Sequence, residues 1–316
     1  MTVTAIHPTA IVDPKASLDS SVTVGAYSLI GAGVEIGAGS VIGPHAVILG
    51  PTRMGRDNRV FQFASIGDIP QDKKFSGEES RLEIGDRNVF RECCTVNRGT
   101  VTGALVTRIG HDNLFMAYSH VGHDCIVGSR CILSNCTALA GHVELDDWVI
   151  LSGYAAVHQF CKVGAHAFLA NNAAVTRDVP PYVMVAGSPA APVTINGEGL
   201  KRRGFSREDI RSLRTAYGLL FSQGGTMAER LNEASDLFAG HAGVMDIINF
   251  IREDSSRPIC TPGSSLLVSR ESTRERLGMS RPAGTVRAPW KPTSSAREMT
   301  PRTGALLLRR LSSISV

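Results

Sequence analysis

Val24-Gly-Ala-Tyr-Ser-Leu-Ile30-Gly-Ala-Gly-Val-Glu-Ile36-Gly-Ala-Gly-Ser-Val-Ile42-Gly-Pro-His-Ala-Val-Ile48 repeats every six residues. A large aliphatic side chain stands at each sixth position, a small one (Ser28, Ser40, Ala46) often two places before it, and Gly25, Gly31, Gly37 and Gly43 follow it. Outward from this stretch the series begins at Ile6, Val12 and Leu18 and continues through Met54, Val60 and Ile66. It stops at Gly67–Glu83 and resumes at Ile84, Phe90 and Val96. After a second irregularity around Thr100–Arg108 it slips by one residue and runs from Ile109 through Phe115, Val121, Val127, Leu133 and onward to Val175. Neither a helix of period 3.6 nor a plain strand of period 2 produces this pattern. Each unit is read as one short strand and a corner, with the aliphatic residue filling the interior of a triangular prism. Three units make one turn, so residues eighteen apart stack on successive coils about 4.8 Å apart.

Composition agrees with a repetitive β architecture. The chain has 316 residues, 32 of them glycine, and only 6% aromatic residues, which disfavours an aromatic-packed or helical globule. The net charge of +4 is uneven: Gly263–Val316 carries ten Lys+Arg against three Glu, or +7, leaving −3 for the rest. The basic balance belongs to the tail, and the folded part gives no reason to invoke nucleic acid. Seven cysteines, two of them adjacent (Cys93 and Cys94), make a poor disulfide framework. The N-terminus lacks a signal-peptide pattern and no apolar run reaches membrane-spanning length, so a cytoplasmic protein with reduced thiols is expected.

The repeat ends at Val175–Ala190, where Pro180 and Pro181 remove amide donors that a further ladder strand would need. Helices are predicted beyond it. Ser206 with Asp209, and Thr226 with Glu229, have the spacing of capping boxes, and Val244–Glu253 is read as a third helix. The expected organisation is a β domain over residues 1–190, a helical domain over 191–262 and a disordered tail over 263–316.

Within the prism, His123, Gly141 and Gln159 are spaced eighteen and eighteen apart, and His120, His142 and His158 crowd beside them. His123 and Gln159 should therefore sit on one wall about 10 Å apart, with a backbone glycine between. Long interruptions of a rigid scaffold tend to carry function, which draws attention to Gln71, Asp72 and Lys74 in the first loop.

Four segments narrow the reading: Gln62-Phe-Ala-Ser-Ile-Gly67 with Gln71-Asp72, His120-Val-Gly-His-Asp-Cys125, Ala156-Val-His-Gln-Phe-Cys161, and Ile195-Asn-Gly-Glu-Gly-Leu-Lys-Arg-Arg-Gly-Phe-Ser206. With the repeats, they make residues 6–262 resemble the UDP-N-acetylglucosamine O-acyltransferases of the hexapeptide-repeat superfamily, which begin lipid A synthesis. The resemblance implies a left-handed parallel β-helix, an exception to the right-handed rule for β crossovers. It also implies transfer of an (R)-3-hydroxyacyl group from acyl carrier protein to a sugar hydroxyl. No cofactor is expected beyond the carrier's phosphopantetheine arm.

That chemistry needs a base for the hydroxyl proton and a donor for the oxyanion. The resemblance gives these roles to His123 and Gly141, and Asp124 is placed to orient the imidazole. By the same resemblance Gln71, Asp72, Lys74, His120, His142, His158 and Gln159 meet the sugar and phosphates, while Asn196, Glu198, Arg202 and Arg203 meet the nucleotide. Asn97 stands where some relatives place histidine, and Asn171 stands where long-chain relatives have glycine, which predicts a shorter acyl donor. A homotrimer is expected, because a cleft between adjacent prisms can enclose substrates that one flat face cannot. The alternatives are another hexapeptide-repeat acyltransferase, or a zinc hydratase of the carbonic anhydrase kind on the same prism. The second is disfavoured by Gly141 and Gln159 in the column where ligands would be wanted.

Overall fold

The computed structural model describes residues 5–262. Pairs of residues eighteen apart bond in parallel, as Thr23 with Val41 and Val47 with Ser65 do. The strands sort into three sheets of eleven, nine and eight strands, beginning at Ala5–Ile6, Ile11–Val12 and Ser17–Leu18 respectively. These sheets are the three walls of the prism. Two longer offsets mark the interruptions. Ser65 pairs with Thr95, thirty residues on, and Thr95 with His120, twenty-five on. The second insertion exceeds one six-residue unit by one, which is the origin of the slip.

The interior is a single column of the predicted aliphatics. Ile30, Ile42, Ile48, Ile66, Leu133, Leu139 and Leu151 are fully buried, and Phe90 stacks on Phe115 at 4.7 Å. At the open N-terminal end this burial fades, and Ile6 is 40% exposed. From Tyr27 onward most corners bend through a residue at positive φ. Many of these are side-chain-bearing residues such as Tyr27, His45, Asp124, His142, Trp148 and Tyr182, with φ between 55° and 67°. A left-handed conformation is unfavourable for such residues. Stacking between coils offsets it, as in Tyr27–His45 at 5.1 Å and His142–Phe160 at 4.4 Å.

One corner also carries a buried asparagine ladder. The Asn88 amide nitrogen and side chain donate to Asn58 Oδ1, and Asn113 does the same to Asn88 Oδ1 at 3.0 and 2.9 Å. Side-chain amides thus replace the backbone pairing that a bend interrupts.

The β region runs past the expected boundary at residue 190. Ala191–Ile195 turns back antiparallel on Val183–Ala186 and closes the first sheet, so the helices begin only at Gly197. They are α1 (Gly197–Arg202), α2 (Arg207–Leu220), α3 (Met227–Leu237) and α4 (Ala242–Arg252). Ser206 with Asp209 and Thr226 with Glu229 both form the predicted reciprocal caps. The short α1 falls in a segment the sequence reading treated only as a motif. The tail over 263–316, with its excess of basic residues, lies outside the described residues.

Candidate active site

His123 and Asp124 occupy the turn between strand His120–Val121 of the second sheet and strand Ile126–Val127 of the third. The positive φ of Asp124 turns its side chain back onto its neighbour, and His123 Nδ1 lies 2.9 Å from Asp124 Oδ2. The carboxylate is 2% exposed and the imidazole 16%. Burial opposes ionisation of Asp124, but hydrogen bonds from His123 and Thr100 outweigh it and hold the carboxyl below its ordinary range. An ionised carboxylate only accepts, so Nδ1 carries the proton and Nε2 is left as the basic nitrogen.

One coil along, Gly141 lies against this ring. A Cβ on it would meet His123 Cε1 at 2.5 Å and Nε2 at 2.6 Å, so only glycine leaves the imidazole in place. Among the described residues the Gly141 N–H donates to no protein acceptor, while its carbonyl accepts from the Phe160 N–H at 3.2 Å. A free amide beside a basic nitrogen is the pairing that acyl transfer requires.

His142 stands edge-on to His123 at 5.1 Å. Burial lowers the pKa of His142, Asp124 partly opposing it, and burial with the neighbouring His123 lowers that of His120. Both rings therefore favour the neutral form. His120 Nδ1 is 2.7 Å from Thr95 Oγ1.

These groups open onto a cleft of about 710 Å³, lined also by Gln71, Asp72 and Lys74 from the first loop and by Gln159. Asn97 is on its wall. The Asn97 amide is oriented by Nδ2 donation to the Ile69 carbonyl at 2.9 Å, and among the described residues its buried Oδ1 has no partner. Sequence reasoning missed Thr100 and Thr102, seen there only as an irregularity, and Phe160, whose ring covers His142. It also missed Arg257, which reaches back from beyond α4 to the Gln159 carbonyl at 3.1 Å and to His158 Nδ1 at 3.0 Å. Nothing local in the sequence signals that contact.

The other expected site residues lie elsewhere on the chain. His158 is exposed and does not line the cleft. Asn196 and Arg203 are at the corner between the third and first sheets. Asn196 caps α1 and donates to the His166 carbonyl; Arg203 donates to His166 Nδ1 and the Trp148 carbonyl, each at 3.0 Å. Burial and Arg203 push the His166 pKa down to about 4. Glu198 and Arg202, on α1, are exposed, and Asn171 is an exposed turn residue between the first and second sheets.

The zinc alternative meets a chemical objection. His123, Asp124 and His142 bring ligand-type atoms within 4.8 Å of one another. The carboxylate already accepts from Thr100 and His123, however, so the set is a hydrogen-bonded dyad. All seven cysteines are unpaired, and burial pushes the thiols of Cys125, Cys131 and Cys161 up to about 12, away from metal-binding thiolates.

A prism of hexapeptide units is the architecture of the bacterial hexapeptide transferases, whose repeat model matches residues 15–50 and 107–141. The model for domain 2 of UDP-N-acetylglucosamine O-acyltransferase matches residues 178–260. The acyl-[acyl-carrier-protein]–UDP-N-acetylglucosamine O-acyltransferase of Thiobacillus denitrificans is 53% identical over 194 residues, 61% of this chain and 75% of that protein. The UDP-N-acetylglucosamine acyltransferase structure from Francisella novicida superposes with a TM-score of 0.81 at 39% identity, covering 84% of this chain and 98% of the other. The Arabidopsis enzyme gives 0.73 at 34% identity, covering 81% and 100%. The chain belongs to the UDP-N-acetylglucosamine O-acyltransferase family, and its prism is the left-handed parallel β-helix expected of it.

Proposed function

We propose that the chain transfers an (R)-3-hydroxyacyl group from acyl carrier protein to the 3-hydroxyl of UDP-N-acetylglucosamine, the first step of lipid A synthesis. The observation that carries this is the His123–Asp124 dyad with the free Gly141 amide against its ring, at the floor of a cleft that Asp72 and Lys74 overhang. His123 Nε2 takes the hydroxyl proton as the oxygen attacks the thioester carbon. Asp124 holds the tautomer and stabilises the imidazolium, and the Gly141 N–H meets the oxyanion, a contribution of about 3 kcal/mol. The imidazolium then returns its proton to the departing thiolate of the phosphopantetheine arm.

A homotrimer fits the distribution of side chains. The outer faces of the first and second sheets are largely apolar, with Val41, Leu114, Ile132 and Ile150 on one and Ile11, Leu29 and Val47 on the other. The third sheet instead carries the ion pairs Arg108–Glu83 at 3.0 Å and Arg53–Glu35 at 3.9 Å. Packing the first sheet of one prism on the second of the next brings the His123 corner of one protomer toward the Arg203 corner of its neighbour. The turn of Asn171, the residue expected to favour a shorter acyl donor, then faces the shared interior. Among the described residues no helix is long and apolar enough to cross a membrane.

The deciding experiment is His123→Ala with purified acyl carrier protein donor and UDP-N-acetylglucosamine. Turnover should fall by roughly two to four orders of magnitude with acceptor binding nearly intact. A loss confined to affinity would make His123 a binding residue.

A further inference from the structure

The second interruption of the repeat lies against the reactive corner. The Thr100 N–H points at both oxygens of Asp124, at 3.1 and 3.0 Å, and the Thr100 hydroxyl donates to Oδ2 at 2.6 Å. Gly103, in the same loop, is pressed so close that a Cβ there would come within 2.4 Å of the Asp124 carboxyl. From behind, the Asp124 N–H donates to Thr107 Oγ1 at 2.8 Å. The loop thus seals the carboxylate from water. It also shares Oδ2, the same oxygen that faces His123 Nδ1. Every further donor to that oxygen weakens its pull on the imidazole N–H.

We infer that Thr100 is a positioning residue: it fixes the Asp124 carboxylate and, by competing for Oδ2, sets the basicity of His123. The assignment rests on the reading of His123 as the general base. Other charged or titratable groups face this pair. His142 Nε2 is 3.9 Å from Oδ2, His120 is three residues away on the preceding strand, and Asp72 and Lys74 overhang the cleft. None of them is a hydrogen-bond partner of Thr100, whose side chain bonds Asp124 and the Thr102 hydroxyl, and His123 is the group that shares Oδ2 with it at hydrogen-bond distance, so a shift in the pH profile reports on the threonine.

Thr100→Val keeps the size and branching and removes the hydroxyl donor. Oδ2 then holds the imidazolium more tightly, the base stays protonated to higher pH, and the acid limb of kcat/KM moves up by about half to one pH unit. Turnover should fall about tenfold from looser orientation of the ring, with acceptor KM unchanged. Thr100→Ser should restore the limb and the turnover. If the valine variant does not fold, Thr100→Ala removes the same donor and carries the same expectation. An acid limb that stays in place or moves down overturns the assignment while leaving the base reading intact, provided His123→Ala is inactive. A fully active His123→Ala overturns both.

Discussion

At the scale of single residues, two glycines one coil apart have different reasons to be glycine. Neither Gly122 nor Gly141 sits at positive φ, so alanine is permitted by the backbone at both. A Cβ on Gly122 would meet the backbone of Leu139, Ala140 and Gly141 at 2.9 Å, whereas the three atoms nearest one on Gly141 all belong to the His123 ring. Gly141→Ala should therefore lower turnover by about a hundredfold with little change in melting temperature, by displacing the ring from its productive position. Gly122→Ala should lower the melting temperature, because the coils themselves must separate. Thermal unfolding and steady-state rates on the two variants check this, and equal losses of stability would remove the distinction. The sequence made the column His123–Gly141–Gln159 legible because stacking follows from a fixed period. It left Thr100 unread, and it singled out Asn97 without its contact to Ile69, since the partners Asp124 and Ile69 lie across an insertion of unknown path.

At the scale of elements, the aliphatic interior followed from period alone, whereas the corners did not. A repeat of large aliphatics states what fills the prism; it says nothing of how the bend satisfies its own amides. The Asn58–Asn88–Asn113 ladder does that at one corner, and its members are thirty and then twenty-five residues apart, so no local pattern discloses it. Asn88 is fully buried, and its side chain also donates to the Gly110 carbonyl at 2.9 Å. Asn88→Ala would strand the Asn113 N–H and the Gly110 carbonyl inside the prism. Each buried unsatisfied group costs about 1–3 kcal/mol, so a loss of roughly 3 kcal/mol is expected. Denaturant unfolding measures it, and a change below about 1 kcal/mol would mean that water replaces the amide at this corner.

At the scale of the whole molecule, the residues read as one nucleotide site fall on two corners of the protomer. His123 and Lys74 border one cleft, while Arg203 and Asn196 belong to the corner beyond the third sheet. A single chain cannot bring them together without crossing its own charged face. If each site joins the His123 corner of one protomer to the Arg203 corner of the next, inactive variants should complement. His123→Ala subunits supply an intact Arg203 corner, and Arg203→Ala subunits supply an intact His123 corner. In trimers reassembled from an equal mixture, about a quarter of the sites would pair two intact corners. Activity should therefore reappear on co-refolding or co-expression, toward about a quarter of the wild-type rate, although each variant alone is nearly inactive. Mixing the folded trimers without subunit exchange should recover nothing. A reassembled mixture no more active than its parents would place both corners' functions within one protomer, and the inter-subunit site would fall.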